Sequence, residues 1–148
     1  MKSARPRHTA AVTMSLPSSS RRRLLTAARA AAKTAYAPYS RFRVGAAVLA
    51  GSGKIFTGAN VENASYGLSN CAERTAIFSA VAAGERKIVA VAVYTPTRAP
   101  TPPCGACRQV INEFGPRAMV LCACRGRERI ETTLDRLLPA AFGPKNLR

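Results

Sequence analysis

Three cysteines and one glutamate carry the chemistry that can be read directly from this chain. Cys71, Cys104 and Cys107 stand in two short clusters, Cys71-Ala-Glu73 and Pro103-Cys104-Gly-Ala-Cys107. Each cluster falls where a helix is expected to start. On a helix, a spacing of three puts Cys104 and Cys107 on one face, aimed at one centre. Thiolates so placed bind zinc, expected here at one ion per chain. Three protein ligands are one short of a closed structural site, and three with an open position is the catalytic arrangement. A closed site completed by Cys122 or Cys124 is the alternative. That pair alternates along an expected strand, shares one face and reads as core, and Cys71-Ala-Glu73 does not supply the second C-x₂₋₄-C knuckle usual in four-cysteine sites. Glu73 lies in the same first helical turn as Cys71, close enough to move protons at a reacting water without being a ligand. It also fits a capping box with Asn70, in which the glutamate bonds back to the cap residue's N–H, and the helix dipole favours a carboxylate there.

Composition narrows the options further. The chain has 148 residues, 47% of them apolar, with one histidine and one aspartate (Asp135). His8 lies in a basic leader, so a Ser-His-Asp or Cys-His site in the folded part is excluded, as is a His-rich metal site. An odd number of cysteines without a secretory signal argues against a disulfide framework. No apolar run approaches the ~20 residues of a membrane span. The net charge of +16 is uneven: residues 1–30 hold seven positive charges and no acid, and residues 31–148 a net +9. Residues 1–20 therefore read as a basic leader without fixed structure, ahead of a single domain over 21–148. An organelle transit peptide, a nucleic-acid arm, or an extension upstream of a second start at Met14 are the other readings of that segment.

The elements that must position these residues follow from pattern. Residues 22–36 read as an amphipathic helix with Ser18–Ser20 as candidate caps, stopped by Pro38. Residues 43–50 and 54–61 read as strands joined by a Gly51-Ser52-Gly53 hairpin turn. Asn70 is expected to open a second helix, closed by Gly84. Residues 87–95 form a β-branched run suited to a strand covered on both faces. A third helix is expected over 105–114, strands over 118–124 and 127–133, and a last helical turn or two over 134–139. The order α-β-β-α-β-α-β-β-α predicts a three-layer α/β/α sandwich around a mixed five-stranded sheet. Helices that follow strands start at the strands' carboxyl edge, which is where ligand sites gather.

Beyond the two cysteine clusters, several segments match one family. Ala35-Tyr-x-Pro-Tyr-Ser-x-Phe42, Val44-Gly-Ala-Ala47, Gly58-Ala-Asn-Val-Glu-Asn-Ala64, Cys71-Ala-Glu-Arg-Thr-Ala76, Pro103-Cys-Gly-Ala-Cys-Arg-Gln109 and Leu137-Leu-Pro-x-x-Phe-Gly-Pro144 follow in order. The region from about Leu24 to Leu147 resembles the zinc-dependent cytidine deaminases, of the free-nucleoside, homotetrameric type. The resemblance implies hydrolytic deamination of cytidine and 2'-deoxycytidine to uridine and 2'-deoxyuridine with release of ammonia. It implies a cytoplasmic role in pyrimidine salvage, with Glu73 as the proton shuttle. Zinc with three thiolates carries a net −1; two helix N-termini offset it, and Arg74 resembles a family arginine that bonds the thiolates. Its alternative is a surface arginine.

The same resemblance assigns Asn60 and Glu62 to the ribose 3′-hydroxyl, and Phe42 and Phe142 to packing on the base. In the homotetrameric members, the C-terminal aromatic and the segment around Ala64 and Tyr66 come from a neighbouring subunit. On residue pattern alone, Asn60 and Asn63 also fit a strand-end turn, and Phe42 fits plain core. Two other functions compete: a deaminase of aminonucleoside antibiotics or polynucleotide cytosine on the same scaffold, and a non-catalytic zinc-stabilised nucleic-acid-binding module. The high charge favours a nucleic-acid partner, but basic and aromatic residues do not interleave. Arg125, Arg127 and Arg129 alternate as a possible basic stripe or a solvated face.

Overall fold

The computed structural model describes residues 15–148. The sheet has the order β2-β1-β3-β4-β5, formed by β1 (Gly45–Ala50), β2 (Ile55–Ala59), β3 (Ile88–Tyr94), β4 (Met119–Ala123) and β5 (Arg129–Thr133). β1 runs antiparallel to both β2 and β3, β3 and β4 are parallel, and β5 is antiparallel to β4. Strands β2, β3 and β4 therefore point the same way. The chains leaving β2 and β3 emerge at one edge and enter α2 (Ala72–Ala82) and α3 (Gly105–Phe114).

The helices cover the two faces unequally. α2, α3 and Leu134 of α4 (Leu134–Leu137) pack on Val48, Val91, Val93, Val120 and Cys122, while α1 (Ser18–Ala32) alone covers Ala47, Ala90, Ala92, Leu121 and Ala123. The expected three-layer sandwich is thus present. Alternation along β3 sends Val91 and Val93 to the α2/α3 face and Ala90 and Ala92 to the α1 face. Alanine against alanine (Ala28 and Ala32 of α1) lets α1 lie close to the sheet. Gly45 faces the backbone of Ala28 and Ala32, and Gly58 that of Ala72, Thr75 and Ala76. A Cβ at either would collide with a helix backbone. Gly58→Ala is expected to cost about 1–3 kcal/mol by overpacking, read as a melting-temperature drop of several degrees. Gly67→Ala, whose added carbon meets nothing, should leave the melting temperature unchanged.

Several element boundaries differ from expectation. α1 spans Ser18–Ala32 and not 22–36. Pro17 is its N-cap, Ser18–Ser20 lie inside it without capping bonds, and Leu16 is buried in the core beneath it. Residues 16–20 thus belong to the folded unit, whereas the expected leader ran to residue 20; its residues 1–14 lie outside the described residues. α1 ends early because Tyr36 pairs with a distant strand end: its N–H donates to Asn60 O (3.0 Å) and its carbonyl accepts from Glu62 N (2.8 Å). Two short 3₁₀ turns, Tyr66–Leu68 and Pro144–Leu147, were not foreseen. No helix among the described residues is long and apolar enough to cross a membrane.

Candidate active site

The carboxyl edge of β2 and β3 brings the two cysteine clusters together. Cys71 is the N-cap of α2 and Cys104 the N-cap of α3, and neither side chain caps its own helix. Cys107, one turn along α3, is fully buried. The three Sγ atoms lie within 4.8 Å of one another, with Cys71 and Cys104 at 3.8 Å. Four sulfurs held about 2.3 Å from a central zinc stand about 3.8 Å apart along a tetrahedron's edge. The spacing fits zinc.

Charge at the cluster fits it as well. Both helix N-termini present their positive ends to the sulfurs. The Arg74 Nη2 donates to Cys71 Sγ at 3.3 Å, while its Nε is buried without a partner among the described residues. A buried donor lacking an acceptor is costly, and the thiolates of a metal-loaded cluster carry the negative charge that donor seeks. Without metal, a hydrogen bond from Cys107 and then the Arg74 guanidinium hold Cys71 down to about 5. The same bond to Cys71, together with burial and the charge of Glu73, pushes Cys107 up. Arg74 is therefore no plain surface arginine.

Glu73 is 5% exposed. With Cys71 as N-cap, Glu73 stands at the second helical position, whereas a capping box needs the third. The N–H such a box would use, that of Asn70, donates instead to Val61 O at 2.9 Å. Asn70 is not the cap. Its side chain donates to Thr75 Oγ1. Burial is the main cause that raises the Glu73 carboxyl above its ordinary range. A buried, proton-avid carboxylate beside a metal cluster is suited to proton transfer.

Cys122 and Cys124 stay out of the three-sulfur cluster. Cys122 is fully buried on β4, on the α2/α3 face, its thiol pushed up to about 12 by burial and then by the charge of Glu73. The Cys124 Sγ donates to Arg98 O at 3.3 Å. Cys122→Ser is expected to keep one zinc per chain, while a buried hydroxyl lowers stability by about 1–3 kcal/mol. Metal analysis and thermal melting of that variant check both.

Of the remaining expected residues, Asn60 and Glu62 flank Val61, on a segment paired with the residue before Cys71. Val61 bridges Tyr36 on one flank and Asn70 on the other, which sets the 60–62 segment beside Cys71. Asn60 holds backbone in both directions, accepting from Val44 N (2.8 Å) and donating to Phe42 O (2.7 Å). Its amide keeps one N–H and one lone pair for another partner. Glu62 Oε1 accepts from Tyr39 N (3.0 Å) and Ser40 N (3.1 Å). Its bonds, first with the Ser40 hydroxyl, keep the carboxyl below its ordinary range. Phe42 is partly exposed at this rim and is not core. Asn63 accepts from Ser65 N in a local turn, as the pattern suggested. Ala64 and Tyr66 are exposed, and Tyr66, 74% exposed, packs its ring 5.7 Å from that of Tyr39.

Sequence reasoning gave no role to the residues that hold the C-terminal segment. Arg108 Nε donates to Pro103 O (2.8 Å) and its Nη1 to Leu137 O (2.9 Å). Gln109 Nε2 and Asn112 Nδ2 both donate to Phe142 O (3.0 and 3.2 Å). One helix thus carries two metal-site cysteines and clamps the tail. The chain's own α3 holds the backbone of the tail, while the Phe142 side chain, which the resemblance assigns to a neighbouring subunit's site, stays 58% exposed. The signal was the Arg108-Gln109 pair directly after Cys107.

A sulfur triad one ligand short of a closed zinc site, set between two helix starts at the edge of a mixed sheet, defines a zinc-dependent centre of the nucleobase-deaminase class. Residues 18–123 match the model of the cytidine and deoxycytidylate deaminase zinc-binding region. The chain belongs to that family. It is 49% identical over 128 residues to the cytidine deaminase of Halalkalibacterium halodurans, covering 86% of this chain and 97% of that one. The crystal structure of cytidine deaminase from Burkholderia pseudomallei is similar at a TM-score of 0.79 and 53% identity, over 82% of this chain and 98% of the other. That of cytidine deaminase from Mycobacterium tuberculosis gives 0.69 and 40%, over 82% and 96%.

Proposed function

We propose that this chain converts cytidine and 2'-deoxycytidine to the corresponding uridines with release of ammonia, as an enzyme of pyrimidine salvage in the cytoplasm. The observation that carries the reading is the buried carboxylate of Glu73 beside three convergent sulfurs, one ligand short of a closed zinc site. Zinc held by Cys71, Cys104 and Cys107 supplies Lewis acidity that makes water a nucleophile near neutral pH. Glu73 takes one proton of the attacking water and gives it to N3 of the pyrimidine. It then moves the second from the new C4 hydroxyl to the amine, which leaves as ammonia when the C4–N bond breaks. Its raised proton affinity suits both directions. Arg74 tempers the thiolate charge. Asn60 and Glu62 recognise the ribose 3′-hydroxyl with their unoccupied amide N–H and carboxylate oxygen. Phe42 packs on the base.

Purified protein is expected to deplete the cytosine absorbance of cytidine while leaving single-stranded oligonucleotide untouched. Turnover of the oligonucleotide would support the polynucleotide reading, and turnover of neither, with zinc bound, the non-catalytic module.

The same reading makes the enzyme a homotetramer whose sites are shared. Tyr36, Tyr39, Tyr66 and Leu68, each 47% exposed or more, form an apolar rim beside the site, and an exposed apolar rim favours association. Phe142 is assigned to a neighbour's base pocket, together with Ala64 and Tyr66. Phe142→Ala is expected to raise the KM for cytidine several-fold with zinc retained. Light scattering is the complementary check: a fully active particle of one chain's mass refutes shared sites.

A further inference from the structure

On the opposite face of the sheet from the zinc site, where α1 crosses the ends of β3 and β4, lies a cleft of about 380 Å³. Arg22 and Arg29 reach it from α1, seven residues apart and so on one helical face, and Arg129 reaches it from the start of β5. Leu25, Tyr94 and Ala123 also line it. Among the described residues that line it, none is acidic. Glu131, two residues from Arg129 on the same strand, is engaged by Arg21 at 2.8 Å.

Two of the arginines are held in place. The Arg29 guanidinium lies over the Tyr94 ring at 5.5 Å, a cation–π contact that fixes its plane. The Arg129 Nη1 donates to the carbonyls of Gly126 and Glu128, both at 2.8 Å, leaving its other N–H groups for a ligand. Three like charges gathered at one cleft repel one another, and that cost is relieved by an anion. Guanidinium forks match phosphate oxygens in pairs. The neutral nucleoside substrate proposed above gains nothing from such charge. The cleft is too large for one phosphate and within the range of small-molecule sites, and its apolar lining suits a sugar or base. It also lies at the carboxyl ends of the parallel pair β3 and β4, the edge that ligands favour in such sheets.

We propose that this cleft binds a phosphorylated small molecule of the nucleoside 5′-phosphate class, at a site separate from the zinc centre. Titration calorimetry of the zinc-loaded full chain tests it, with the catalytic sites first saturated with uridine. The probes are uridine 5′-monophosphate, inorganic phosphate and a single-stranded twelve-nucleotide thymidine oligomer. Uridine 5′-monophosphate is expected to bind once per chain, at least tenfold more tightly than inorganic phosphate. Arg29→Gln combined with Arg129→Gln should weaken it at least tenfold, with zinc content and cytidine turnover unchanged, whereas Arg127→Gln should not weaken it. Arg22→Gln alone, a smaller change on exposed helix, should weaken it severalfold and serves if the double variant fails to fold. The proposal is overturned if the nucleotide does not bind, if its affinity ignores the cleft variants, or if inorganic phosphate binds equally well. Binding of the oligomer more than a hundredfold tighter than the mononucleotide, lost in the same variants, would instead make this face a polynucleotide surface.

Discussion

Glu73→Gln should abolish most of the turnover while the protein keeps its fold and its zinc. Removing a general acid–base group costs about 10²–10⁴-fold in rate, and here one carboxylate serves the water, N3 and the amine, so the loss belongs at or beyond the upper end. Glutamine has nearly the same shape and retains packing against its buried surroundings. A purely structural glutamate predicts the opposite pattern, a stability loss with the rate kept. The helix register already disfavours it, because Glu73 stands outside the capping position and Asn70 N–H is engaged by Val61. The sign of the stability change is a second discriminator. Burial raises the Glu73 carboxyl in the folded metal-free protein, so its contribution to stability is present below the ordinary carboxylate range and lost as pH rises through the raised value. At neutral pH, then, metal-free Glu73→Gln should melt no lower than the parent. Turnover under saturating cytidine and a melting curve of the metal-free variant test both.

Cys104→Ala is the second large effect: zinc should fall from one per chain to near zero, and turnover with it. Cys104 is the informative choice because its side chain is exposed, so its loss leaves no core cavity, unlike Cys107. Zinc binding free energy is also folding free energy, so the variant should melt at the temperature of the chelator-treated parent and should not respond to added zinc. Binding displaces thiol protons. Cys71 is held down to about 5 and stays a thiolate at neutral pH, whereas Cys107 is pushed up and keeps its proton until metal replaces it. Apparent zinc affinity should therefore weaken as pH falls, measured by competition with a chromophoric chelator. Full zinc retention in Cys104→Ala would mean that other ligands hold the ion.

Much of this protein was legible in its sequence. The third helix was bounded at 105–114, as found, because Pro103 and Gly115-Pro116 punctuate it locally. The continuous run of β3 announced a strand buried on both faces, and its burial is nearly complete. The metal cysteines were legible because their spacing at two helix starts is a local property of the chain. Other features depended on partners that no short window contains. α1 stops at Ala32 because the Tyr36 backbone finds Asn60 and Glu62. The second helix is capped at Cys71 and not at Asn70 because Val61 takes the Asn70 N–H. That the two cysteine clusters meet was decided by the strand order, which set the ends of β2 and β3 on one edge and left Cys122 in the core of the α2/α3 face. Composition and spacing fix which groups are available. Which of them meet is decided by backbone hydrogen bonds and packing between segments tens of residues apart, since each buried N–H and C=O must find a partner somewhere in the fold.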